Sequence, residues 1–123
     1  MNSLQGTLTL RPLEAQDQEF SYQVYASTRE EEMALVDWTA EQKEQFLRMQ
    51  FSAQRSHYQT YAPNSEWQVI LLDGQPAGRL IVDRSDPQRI ALKDIAILPQ
   101  FRRRGAGTYF LQALIEEARA AGK

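Results

Sequence analysis

The sequence predicts an α+β fold: a mainly antiparallel sheet with helices packed on it, in the order strand, helix, helix, strand, strand, strand, helix. Three stretches carry that reading. EWQVILLDGQPAGRLIVDRS, residues 66–85, sets two β-rich runs on either side of Asp73-Gly74, a pair that tolerates the positive φ angles of a tight hairpin turn. Thr39, with Gln42 three residues on, has the form of a capping box, in which the threonine side chain accepts from the helix and the glutamine reaches back. The last segment places Phe110, Leu111, Leu114, Ile115 and Ala118 on one helical stripe, with Gly122 where a C-cap falls.

TLTLRP alternates threonine and leucine before a proline, which predicts a short strand at about Thr7 to Arg11. A helix follows from about Glu14 to Ser27, with Phe20 and Val24 one turn apart on its inward face. REEEMALVDW leaves its conformation open. The helix capped by Thr39 runs to about Tyr58 or a little beyond, carries Phe46, Met49 and Ala53 on one side, and is broken by APNS. After the hairpin, RIALKDIAIL reads as the fourth strand, ended by Pro99, which has no N–H for a ladder. There is no internal repeat, low-complexity tract or linker, so residues 1–123 read as a single domain.

Composition narrows the function. Hydrophobic residues make up 42% and charged residues 24%, both ordinary for a globular domain, and the net charge of -2 gives no general attraction to nucleic acid or anionic membrane. With no cysteine there is no disulfide framework, thiolate metal site or cysteine nucleophile, which fits a reducing compartment. His57 is the only histidine, so no histidine pair is available for zinc. MNSLQGTLTLRP lacks a basic stretch followed by an apolar core, and no apolar run approaches membrane-spanning length. These observations predict a cytoplasmic protein with no metal, no membrane and no nucleic-acid partner.

The chemistry concentrates in QFRRRGAG, residues 100–107. Lying between a strand and a helix, Arg104, Gly105, Ala106, Gly107 and Thr108 offer free main-chain N–H groups at the helix's positive end, which makes an anion site. The glycines let an anion approach the backbone, and Arg102, Arg103 and Arg104 add forked donors suited to phosphate. A P-loop would need Gly-Lys followed by Ser or Thr, and a dinucleotide fingerprint would need Gly or Ala where Phe110 stands. Neither pattern is present.

Arg102-Arg103-Arg104-Gly105-Ala106-Gly107 resembles the acyl-CoA pyrophosphate signature of GNAT-type N-acetyltransferases, Gln/Arg-x-x-Gly-x-Gly/Ala. LKDIAILPQFRRRGAGTYFLQALIEEARAAGK is similar to that family's fourth strand, pyrophosphate loop and third helix, and the order of earlier elements agrees. The resemblance implies transfer of an acetyl group from acetyl-CoA to an amine of a small molecule or peptide. It also implies a fourth strand whose main chain, at Ile95, Ala96 and Ile97, docks the pantetheine arm like an added strand. An N–H near Ile97 would then polarise the thioester carbonyl and stabilise the oxyanion, while alignment of amine and thioester supplies most of the remaining rate.

The attacking amine must be neutral, so a carboxylate acting directly or through water is required. Some family members carry a glutamate earlier on the fourth strand, where this sequence has Ala91. Asp94 is the nearest acid, with either a polar role in the site or a structural hydrogen-bonding one; Asp83 and Glu66 are further candidates. Gln50, Gln54, Tyr58 and Tyr61 share a helical face beside His57, either a wall of the acceptor site or a solvated face. Tyr109 follows the loop as a packing residue or a contact near CoA.

The family's domain continues past the third helix with a fifth strand, a tyrosine-bearing helix and two more strands, so the resemblance implies a domain truncated before the fifth strand. A catalytically impaired acyl-CoA-binding module, or a fragment of such an enzyme, is therefore the alternative to a complete N-acetyltransferase. An open edge on the fourth strand beside apolar surface makes a homodimer one expected state.

Overall fold

A computed structural model describes residues 6–123; the first five residues, part of the MNSLQGTLTLRP stretch expected to carry no targeting segment, lie outside the described residues. Strand β1 (Leu8–Pro12) is followed by a single 3₁₀ turn (Ala15–Asp17) and three helices, α1 (Gln18–Ser27), α2 (Glu30–Ala34) and α3 (Ala40–Tyr61). Strands β2 (Ser65–Leu72), β3 (Gln75–Asp83) and β4 (Ala91–Ile97) come next, then a 3₁₀ turn (Pro99–Phe101) and helix α4 (Ala106–Ala120). The fold is α+β, as expected. The short α2 occupies the stretch that the sequence left open.

The strands lie in the order β1-β2-β3-β4, each antiparallel to its neighbour. Asp73 and Gly74 take φ of 51° and 81°, the left-handed pair that a two-residue hairpin turn requires. Asp73 also accepts from the Thr7 amide at 2.8 Å, which ties the turn to the start of β1. Between β3 and β4 the backbones approach so closely that a Cβ at Gly78 would collide with the Ala96 carbonyl. The Thr39 box forms as read: its hydroxyl accepts from Gln42 N at 3.1 Å, and the Gln42 side chain accepts from Thr39 N at 2.9 Å.

Each sheet face has its own cover. On one, Leu8, Ile70, Leu72, Leu80 and Val82 pack against Phe110 and Leu114 of α4. On the other, α1 and α3 join through Tyr22, Tyr25, Leu47 and Phe51. Two sequence expectations need correction. Helix α3 turns Leu47 and Phe51 inward, whereas Met49 and Ala53 are exposed and Phe46 is only half-buried. Helix α4 buries Phe110 and Leu114 but leaves Leu111 and Ile115 about half exposed (50% and 49%), because its contact with the sheet is narrower than its apolar stripe. Phe20 is half-buried while Val24 is fully buried. No helix among the described residues is long and apolar enough to cross a membrane.

Candidate functional site

Two sets of main-chain donors converge at the end of β4. As the outer strand of the sheet, β4 has a partner on one side only among the described residues. Leu98 N bonds to Ala77 O at 2.8 Å, so by strand alternation the Ala96 polar groups face β3 while those of Ile95 and Ile97 face the open edge. The ladder shifts between Ile81 and Val82, opposite Lys93, so the open edge is interrupted by a bulge just before Asp94.

The second set opens α4. Gly105 is its N-cap, at φ 82° in the left-handed region, and no side chain caps the helix. The first bond into the helix runs from Tyr109 N to Gly105 O at 2.9 Å, which leaves the N–H groups of Ala106, Gly107 and Thr108 without intrahelical partners. A Cβ built on Gly107 meets nothing within 4 Å, so this glycine is not demanded by the protein's own packing. Arg103 also has positive φ, 65°, a conformation that costs a non-glycine residue about 1 kcal/mol.

The three arginines differ in employment. Arg102 Nε donates to Ile97 O at 2.8 Å, reaching the open edge of β4. The Arg104 guanidinium lies 6.0 Å from the centroid of the Phe101 ring. All three side chains are exposed beside the α4 N-terminus, so positive charge surrounds the free amides.

Asp94 is held rather than free. Its Oδ2 accepts from Arg79 Nε at 2.9 Å, and the carboxylate retains 30% exposure while Arg79 has only 2%. Arg79 also donates to Gln54 Oε1 at 3.0 Å and to Ser21 Oγ at 3.4 Å, and its guanidinium carbon lies 5.5 Å from the Trp67 ring centroid. One buried cation thus ties β3 to β4, α1 and α3. Tyr58 reaches Lys93 O with its hydroxyl at 3.4 Å; burial first, and the nearby Asp94 carboxylate second, push its phenol up. The other acids proposed from sequence are engaged elsewhere. Glu66 pairs with Arg84, and Asp83 accepts from the Ser85 hydroxyl and amide, which hold its carboxyl below the usual range.

The face of α3 read as an acceptor wall divides in two. Gln50 accepts from the Tyr25 hydroxyl at 3.2 Å, while Gln54 and Tyr58 contact Arg79 and β4. Tyr61 is 75% exposed and lies 4.8 Å from the His57 ring, centroid to centroid. Tyr109 is partly exposed and packs edge-on to Phe110 at 5.1 Å. Arg79 escaped the sequence reading, although a signal was present. Ala77 and Ile81 flank it on one face of β3 and Gly78, Leu80 and Val82 form the other, so the strand is apolar on both sides and its arginine must be enclosed. Among the described residues no group of three His, Cys, Asp or Glu side chains could hold a metal ion.

An outer strand with open-edge amides thus runs into a glycine-bearing helix start that no side chain caps among the described residues. The sequence profile of the acetyltransferase (GNAT) family matches residues 15–123, and the chain belongs to that family of acetyltransferases. Solved structures agree in fold. The PaiA N-acetyltransferase of Thermoplasma acidophilum, in complex with coenzyme A, superposes with a TM-score of 0.62 at 15% identity, over 94% of this chain and 74% of that one. A GCN5-related N-acetyltransferase of Rhodopseudomonas palustris gives 0.60 at 21% identity, over 96% and 69%. The N-acetylglutamate synthase of Neisseria gonorrhoeae, complexed with coenzyme A and N-acetyl-glutamate, gives 0.55 at 14% identity, over 96% of this chain and 24% of that chain. No curated protein sequence matches the chain.

Proposed function

We propose that this protein is an N-acetyltransferase that moves an acetyl group from acetyl-CoA to an amine of a small molecule or protein. The observation that carries this reading is the meeting of the open-edge amides of Ile95 and Ile97 with the free amides of Ala106, Gly107 and Thr108. The residues fit such a co-substrate: strand-like donors for an amide-bearing arm, then a positive helix end with open space at Gly107 for phosphates. Acetyl-CoA supplies the activated acyl thioester.

The chain's own residues do the rest. The main chain of Ile95, Ala96 and Ile97 aligns the arm, and the Ile97 N–H is aimed to donate to an acyl oxygen as charge develops there. The backbone from Arg102 through Thr108 holds the anionic end. Asp94, anchored through Oδ2 by Arg79, keeps its other oxygen to orient the incoming amine or accept its proton. The arginine anchor also favours a second reading, an acyl-CoA-binding module without turnover, because it commits half of the nearest carboxylate to structure. We further infer a cytoplasmic location from the cysteine-free sequence, and a homodimer from the open edge of β4.

A coupled experiment decides between the readings. Calorimetric titration with acetyl-CoA should give saturable binding, and a CoA-release assay over a panel of amines should give turnover with at least one. Binding without release across the panel would establish the module; absence of binding would overturn both.

A further inference from the structure

A pocket of about 310 Å³ lies toward the Ser65 end of β2 and adjoins the Arg79–Asp94 pair through Tyr58 and Trp67. Its walls include Arg55, Tyr58 and Gln59 of α3, Gln18 of α1, and Ser65 and Trp67 of β2. By register Ser65 is level with Asp83 and Ala91, and Trp67 with Ile81 and Asp94, so the pocket runs from the start of β4 to the level of Asp94. Two strand spacings, about 10 Å, separate β2 from β4. The acetyl-transfer reading assigns no role to Arg55 or Ser65.

We propose that this pocket binds a small monocarboxylate bearing an aromatic ring, of the arylacetate class. Arg55 is the one charged side chain among the pocket's lining residues, and it forms no ion pair among the described residues. A guanidinium with its donors uncommitted matches a carboxylate through two parallel bonds. Tyr58 and Trp67 meet edge to face at 5.2 Å, forming a corner that offers a flat ring both stacking and edge contacts. Ser65, which lines the cavity, has a hydroxyl oxygen shielded from solvent and without a hydrogen-bond partner among the described residues. The amides of Gln18 and Gln59 complete a polar rim. The volume, at the lower end for ligand sites, suits one ring.

The test uses three near-isosteric probes, phenylacetate, phenylacetamide and 2-phenylethylamine, followed by the indole N–H resonance of Trp67, with Trp38 as internal control. Phenylacetate should shift the Trp67 signal saturably below about 10 mM, with the amide at least about tenfold weaker and the amine weaker still. Arg55→Gln, at an exposed residue without an ion pair, should weaken phenylacetate about tenfold or more, while Arg102→Gln should leave it unchanged. Equal responses to the three probes, no saturation, or indifference to Arg55→Gln would each overturn the proposal. None of these outcomes bears on CoA release, so the acetyl-transfer reading is judged separately.

Discussion

Truncation of Arg79 would leave Gln54 and Ser21 without their shared donor and Asp94 without its partner, inside a site that water cannot fully enter. Arg79→Ala should therefore lower unfolding free energy by on the order of 3 kcal/mol or more, measured by urea denaturation. A buried acid, Asp17, gives a pH signature. Asp17 accepts from Arg11 at 2.7 and 3.0 Å and from the Glu14 amide at 2.8 Å, and the Arg11 guanidinium first, then that amide, hold its carboxyl at about 2. A carboxyl depressed in the folded state stabilises it fully above its unfolded value and loses that contribution as pH falls through the folded one. Asp17→Asn should thus cost about 2 kcal/mol at neutral pH, and its deficit should shrink between about pH 4 and pH 2. A pH-independent deficit in parallel denaturation curves would assign the effect to packing instead.

The α4 N-terminus allows ligand binding and folding to be separated. Gly105 needs its left-handed φ, so a side chain there strains the fold, whereas Gly107 has ordinary φ and open space over its Cα. Gly107→Ala should leave the melting temperature unchanged or higher yet weaken acetyl-CoA binding about tenfold, since the added methyl occupies the phosphates' approach. Arg103→Ala should weaken it less; the opposite ranking in titrations would show that side-chain charge, not main-chain geometry, holds the ligand. Elements of this kind were legible in sequence because their chemistry is local: the Asp73-Gly74 turn, the Thr39-Gln42 box and the glycine loop each lie within a few residues. Which side of α3 faces inward was not legible. Its inner face mixes Leu47 and Phe51 with Gln50 and Gln54, whose polarity is matched by Tyr25 and Arg79 from distant segments. A count of apolar residues favours Met49 and Ala53 instead, and only the tertiary partners reverse it.

Across the molecule, the open edge of β4 lies beside a groove formed by Ile90, Leu92, Leu111, Ile115 and Ala118. Unpaired strand groups next to exposed apolar side chains recruit another chain. The 123-residue protein should therefore self-associate in sedimentation velocity runs, and Leu111→Glu with Ile115→Glu should shift it toward monomer. A wild-type chain that stays monomeric at about 100 μM, roughly the range of weak association, would contradict this. The sequence places the fourth strand over residues 89–98 and the structure narrows it to Ala91–Ile97, while the exposure of Leu111 and Ile115 is not legible, because an apolar stripe does not state how wide its covering surface is.

The sheet's strand order also carries a kinetic consequence. β2, β3 and β4 pair with their neighbours in sequence, through a two-residue turn and a loop over 84–90, whereas β1 meets β2 only across residues 13–64. Closing that long segment before its pairing is rewarded slows the step, so the β2–β3 hairpin forms early and β1 arrives last. In pulse-labelled refolding, ladder amides of Val69 to Leu72 that face β3 should gain protection before those of Leu8 to Arg11. Of the four strands, the one that leads in sequence is thus the last to find its place.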